Sequence, residues 1–190
     1  MELPETMTFV GIDRLFVSSV DDKSSYSNPE GPYRIESAQS FELEIEVDNS
    51  ELFGDEEKTD IYTKVIGMKA SFGAGKVSID PFALLLGANV EASGEAPNRE
   101  LSLVIGSNRL PYVHIRMVSL YQGGADAGCD GYYEIELFKA KFMDPKFSLQ
   151  SKTHGEISGS VSAIPPRNNP AGLSSRAIGR IRKLEAPFSE

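Results

Sequence analysis

The feature that most constrains this chain is the run Phe41-Glu42-Leu43-Glu44-Ile45-Glu46-Val47-Asp48, in which every odd position is apolar and every even one a carboxylate. A period of two puts alternate side chains on opposite faces of an extended strand, whereas a helix would scatter the same residues around its whole circumference. The run is therefore a strand with one face for a core and an acidic face for solvent. Similar alternation, rich in aromatic and β-branched residues, predicts further strands at Thr8 to Val20, Tyr62 to Phe72, Arg99 to Ile105, Tyr112 to Tyr121, Tyr132 to Phe142, Glu156 to Ile164 and Arg176 to Leu184. The fold class expected is mainly β, an antiparallel sandwich or barrel.

One helix interrupts the pattern. Asp80 is the predicted cap, Pro81 suits the first helical position, Phe82-Ala83-Leu84-Leu85-Leu86 is a strong helix former, and Gly87 supplies a left-handed stop. Being short and apolar, it is expected to flank the β structure and cover one face or open end. Three segments read as connections. Asn49 to Asp60 is acidic, contains Gly54 and is predicted as a long exposed loop; Gln122 to Gly131 holds four glycines; Pro165 to Ser175 is dense in Pro, Asn and Gly and reads as a hinge. The organisation expected is one β domain over residues 1–164, followed by a proline-hinged C-terminal arm over 165–190.

Composition bounds the chemistry. Over 190 residues, 40% are hydrophobic, enough for a core at this length. The longest apolar run, Phe82 to Leu86, falls far short of the roughly 20 residues that cross a bilayer. The first ten residues carry two glutamates and no basic stretch ahead of an apolar one, so no secretory leader is expected. A single cysteine, Cys129, excludes an internal disulfide framework and a thiolate zinc cluster, and two histidines, His114 and His154, exclude imidazole-rich metal sites. No cofactor is expected. The net charge of −9 is uneven: residues 1–60 hold sixteen acids and four bases, and the remainder twelve acids and fifteen bases. Phosphate would be repelled by the N-terminal third, while copies of the chain can attract one another, acidic part to basic part.

The motifs that suggest chemistry each have a plainer reading. Glu42, Glu44, Glu46 and Asp48 sit nearly 7 Å apart along one strand face, a spacing too regular and exposed for a converging catalytic or calcium site. Phe72-Gly73-Ala74-Gly75-Lys76-Val77-Ser78 misses the phosphate-binding loop at Ala70, where Gly is required, and at Val77, where Ser or Thr is. Gly123 to Gly131 resembles one calcium-binding nonapeptide, a unit that works only in stacked copies. Cys129 in that segment has no base implied beside it. His114 alternates with Tyr112, Arg116 and Val118 and is expected at a surface or interface; His154 precedes Gly155 at a turn. The residues point away from an enzyme.

From Tyr62 to Ile164 the order of features resembles the major tail protein, or tail tube protein, of long-tailed bacteriophages and related prophages. The pieces are the strand Val65-Ile66-Gly67-Met68-Lys69-Ala70-Ser71-Phe72, the helix stretch Ile79 to Ala88 and a spacer at Gly94 to Asn98 ahead of Arg99 to Gly106. Then come Pro111-Tyr112-Val113-His114-Ile115, Tyr133-Glu134-Ile135-Glu136-Leu137-Phe138-Lys139-Ala140-Lys141-Phe142, and a closing strand over Ser158 to Ile164. The resemblance covers a little over half the chain and rests on order and local flavour, not on one invariant motif.

It implies a small β-barrel or sandwich with one flanking helix, a long loop and terminal arms. It also implies hexameric rings stacked into a tube in the virion tail, assembled in the host bacterial cytoplasm, with tape-measure and tail terminator proteins as partners. DNA would pass through the lumen without specific binding, and no membrane would be involved. On that expectation Glu42, Glu44, Glu46 and Asp48 line the lumen, and Arg176, Arg180, Arg182 and Lys183 form a basic arm that docks on an adjacent subunit. Two other readings share much of the physics: the tube protein of a contractile injection system, and a non-catalytic surface-binding β module of a tail or baseplate. The second would favour exposed tryptophans, and the chain has none.

Overall fold

The structure, a computed structural model, describes residues 8–20, 32–54, 57–76, 78–107, 109–122, 129–148, 156–168, 172–173 and 176–184. It is mainly β with one helix, as the alternation predicts. The elements are β1 (Thr8–Val20), β2 (Tyr33–Ile35), β3 (Ala38–Gly54), β4 (Glu57–Ala74), α1 (Ile79–Leu86), β5 (Asn89–Ser93), β6 (Glu100–Val104), β7 (Tyr112–Gln122), β8 (Cys129–Ser148), β9 (Glu156–Ala163) and β10 (Gly179–Leu184). Eight of the strands form one antiparallel sheet in the order β2-β1-β7-β8-β9-β4-β3, with β10 also on β8; β5 and β6 form a separate hairpin.

Two features curl this sheet into a barrel-like shape. β2 pairs with β1 at one edge, and β3, two residues further on, pairs with β4 at the other. Residues 33–54 are thus a single corner strand that joins the two edges through Glu36 and Ser37. Ser37 takes a left-handed backbone (φ 56°) at the corner, and its carbonyl accepts a bond from Gly75 N–H at 3.1 Å. Lys76 pairs with Glu36 at 2.8 Å across the same corner. Bulges in β1, β3 and β8 add the local bending that closure requires.

The core lies inside this curl. Leu15 and Val17 of β1, Val113 and Ile115 of β7, and Leu137, Ala140 and Phe142 of β8 meet Ala70 and Phe72 of β4 and Val161 of β9. Phe72 and Phe142 stack at 5.6 Å, and the Phe142 ring lies over Gly159 of the intervening β9, where a Cβ would overlap it. Helix α1 adds Phe82, Leu85 and Leu86 to the same core. It begins two residues earlier than the sequence predicts, at Ile79 and not at Pro81. Ser78 in extended conformation takes the N-cap position instead of Asp80, which falls in the first turn, where its charge suits the helix dipole. Gly87 ends the helix as expected, left-handed (φ 59°, ψ 33°). Gly87 N–H donates to Leu84 O and Ala88 N–H to Ala83 O, the paired bonds of a Schellman stop.

Two strands were not expected, β2 and β5; both are short and weakly patterned. The larger correction concerns residues 49–60. These are strand on both sides of residues 55–56, not a loop: Asn49↔Thr63, Glu51↔Ile61 and Gly54↔Glu57 continue the β3–β4 ladder. On either side of this stretch residues 47–51 and 61–66 are exposed, so the ribbon has solvent on both faces there. Composition alone therefore made it look like coil. Residues 123–128, most of the glycine-rich segment, and His154 lie outside the described residues.

Candidate functional site

The acidic stripe lies on β3, at the sheet edge, and its register is clear. Glu42, Glu44, Glu46 and Asp48 face Ser71, Lys69, Gly67 and Lys64 of β4. The stripe is therefore partly neutralised by two lysines. Lys69 pairs with Glu46, and hydrogen bonding and charge from Glu46, with a smaller contribution from Glu44, hold its ammonium above the ordinary lysine range. Glu42 accepts a 3.5 Å contact from the Ser71 hydroxyl. These carboxylates are spread along an open face and do not converge on a common point, so they are suited to repelling or attracting a charged surface and not to holding a small ligand.

The opposite face of the same strand changes character along its length. Phe41 and Leu43 pack against the core, but Ile45 is 51% exposed and Val47 46%. Across the ribbon Val47 faces Val65, and Ile61 faces Glu51; both β4 side chains are exposed as well. The alternation persists while the core that it should cover has ended. What remains is an arm of two strands with an uncovered apolar face, and among the described residues no strand pairs with the outer edge of β3. The β5–β6 hairpin repeats the theme, with Val90↔Leu103 and Ala92↔Leu101 on one face and Val90 and Leu101 exposed.

The basic residues find acidic partners in their own chain. β10 pairs antiparallel with the first half of β8, in the register Arg180↔Glu136 and Arg182↔Glu134. Arg180 donates to Glu136 Oε2 from Nε at 2.8 Å and from its terminal nitrogen at 2.6 Å. Arg182 donates from Nε to Glu134 Oε2 at 2.6 Å. On the other side β7 brings Arg116 to within 3.6 Å of Glu134 and His114 Nε2 to within 3.7 Å of Glu136. Phe16 of β1 lies under the Arg116 guanidinium at 5.3 Å, and Phe138 under Arg180 at 5.8 Å. Glu134 is fully buried, and Glu136 nearly so.

This ladder of charges across β7, β8 and β10 was not singled out in the sequence. Its one signal was that Glu134 and Glu136 alternate as the acids of β3 do, while Arg180 and Arg182 show the same spacing of two. His114, expected at a surface or interface, is buried and stacked parallel to Phe138 at 6.3 Å; alternation identified its face but not its burial. Burial by itself raises the Glu136 carboxyl; contacts from His114 and Arg180 outweigh burial and hold it down to about 2. Arg180 is the closer and permanently charged of the two. Of the remaining expected basic residues, Arg176 is exposed and Lys183 half-buried.

The glycine-rich Phe72 to Lys76 segment ends β4, and its lysine is paired with Glu36. Among the described residues no group of three His, Cys, Asp or Glu side chains is placed to hold a metal, and no helix is long and apolar enough to cross a membrane. A cleft of about 460 Å³ opens where β1 and β3 diverge, floored by Met117, Ser119 and Ile135; it is open-sided and has no cluster of ionisable groups. No protein-family model matches this chain, and a search of curated proteins finds no relative.

Proposed function

We propose that this chain is a structural subunit that assembles with copies of itself, and that the assembly is the tail tube of a long-tailed bacterial virus, a conduit for DNA ejection. The observation that carries the self-assembly is the β3–β4 arm. Its apolar face, Ile45, Val47, Ile61 and Val65, is exposed in the single chain, and its outer edge is unpaired among the described residues. A two-stranded ribbon is marginal by itself in water, and an open apolar edge strand is a template for pairing with another chain. Packing the arms of several copies side by side covers these faces and pairs these edges at once.

The tube itself rests on the resemblance of residues 62–164, and the charge pattern supports it. In arms arranged as a ring with their apolar faces against neighbouring subunits, Glu42, Glu44, Glu46 and Asp48 face the bore. A bore lined with carboxylates repels phosphate, so DNA slides instead of adhering. Tape-measure and terminator proteins are the partners this reading requires.

Negative-stain electron microscopy of the purified protein over a concentration and salt series tests the proposal. Rings or hollow tubes are expected, and Val47→Glu with Val65→Glu should abolish them while leaving the circular dichroism of the monomer unchanged. Monomers under every condition would overturn self-assembly. Virions whose tails carry Glu42→Lys, Glu44→Lys and Glu46→Lys should assemble but deliver DNA poorly; normal delivery would remove the lumen assignment.

A further inference from the structure

The path of the chain between β9 and β10 is unusual. Ile164 N–H donates to Lys139 O at 2.9 Å, and Phe138 N–H donates to Ile178 O at 3.1 Å. β9 and β10 therefore lie opposite consecutive residues of the same side of β8, and run in the same direction. A strand continuing straight from one to the other would need no intervening residue. The chain instead inserts thirteen, residues 165–177, among them Pro165, Pro166, Pro170 and Gly172. Closing such a loop on itself costs entropy and, among the described residues, adds no strand pairing.

Thirteen residues reach about 45 Å when extended. A compact chain of this length has a radius of gyration of about 16 Å. The linker is thus long enough to deliver β10 to a second molecule. The groove that β10 fills is selective. It presents two buried carboxylates, Glu134 and Glu136, at strand spacing, which Arg116 and His114 of β7 approach only at 3.6 and 3.7 Å, and an occupant with two cations two residues apart completes their pairing. Arg180 and Arg182 meet that demand, and every copy of the chain carries them.

We propose that β10 is an exchangeable strand: the β10 of one molecule fills the β8 groove of another, with Arg180 and Arg182 on the partner's Glu136 and Glu134, in the register seen within one chain. Exchange keeps each contact and releases the loop closure, the condition under which swapping between identical chains is cheap. This goes beyond the arm-mediated assembly proposed above and uses a different surface.

Two single-cysteine variants test it, on a Cys129→Ser background: Ile135→Cys in one chain and Ile181→Cys in a heavier, isotopically labelled chain. These positions face each other across β8 and β10. A chain carrying both substitutions, oxidised alone when dilute, establishes that the pair can bond. The two single variants, refolded together at high concentration and oxidised, should give a disulfide-linked heterodimer by non-reducing gel and mass spectrometry. Deleting residues 167–175 from both should reduce it at least about tenfold, because a short linker cannot span two molecules. Failure to cross-link, with the double variant bonding normally within its own chain, would overturn strand exchange. Tubes without the cross-link would sink this inference alone, and cross-linked pairs without tubes would sink the tube alone.

Discussion

β3 and β8 carry the same local pattern, glutamates alternating with aliphatic residues, and end in opposite environments. On β3 the acids Glu42, Glu44 and Asp48 are exposed, on the edge of the sheet, with lysines across the ladder. On β8 the acids Glu134 and Glu136 are buried, because β8 is the strand with neighbours on both sides over this stretch and each neighbour brings cations. The apolar faces are reversed as well. Leu137, opposite the β8 acids, is in the core, whereas Ile45 and Val47, opposite the β3 acids, are exposed. A carboxylate's worth is therefore set by its strand's place in the sheet, and not by its place in the strand.

The largest expected effect is on β8. Glu134→Ala removes the fully buried carboxylate that faces both Arg116 and Arg182, and should cost about 3 to 5 kcal/mol in urea unfolding. Replacing it with leucine removes the same carboxylate, so in either variant a loss below about 1 kcal/mol (on the order of a surface change) would break the comparison. Glu136→Gln should cost somewhat less and also change the acid limb. Because the folded Glu136 carboxyl lies at about 2, below its ordinary 4.5, its contribution is complete above that ordinary value and is lost as pH falls from there through 2. The wild-type chain should lose about 3 kcal/mol over this window from Glu136. The Gln variant should lack that part of the slope, which pH-resolved denaturation will read.

Two smaller tests sharpen the contrast within β3. Leu43→Ala removes a side chain packed on the core and should cost about 1 to 2 kcal/mol, since the site is only half-buried. Ile45→Ala, two residues on and exposed, should leave the monomer's unfolding midpoint almost unchanged and show its effect only in assembly. The smallest change belongs to the acidic stripe: Glu42→Gln and Glu44→Gln should not move the midpoint measurably, because exposed carboxylates are solvated before and after folding. Any marked destabilisation would mean that the stripe is covered in the folded chain.

Much of the architecture was legible in the sequence. Hydrophobic period located eight of the ten strands, and the apolar run ending in Gly87 located the helix. The misses share a cause. β2 and β5 are three and five residues long, too short for a period to emerge. Residues 49–60 read as loop because acids and Gly54 lower strand propensity, yet pairing with the opposite strand of a hairpin outweighs propensity. Alternation puts His114 on a polar face, at a surface or interface, but does not show its burial; the proline-rich stretch marks residues 176–184 as an arm but does not show that Arg180 and Arg182 meet Glu136 and Glu134 of their own chain.

The sequence by itself determined which residues share a face, since a two-residue repeat is a property of the backbone and needs no partner. It also determined where the helix stops, because a left-handed residue at its end strongly favours glycine. Tertiary structure decided what each face meets: that the β8 acids lie between the arginines of β7 and β10, and that the apolar side of β3 runs past the end of the core. Those outcomes depend on strand order, and strand order arises from contacts between residues distant in the chain, whose burial and pairing energies no local pattern encodes.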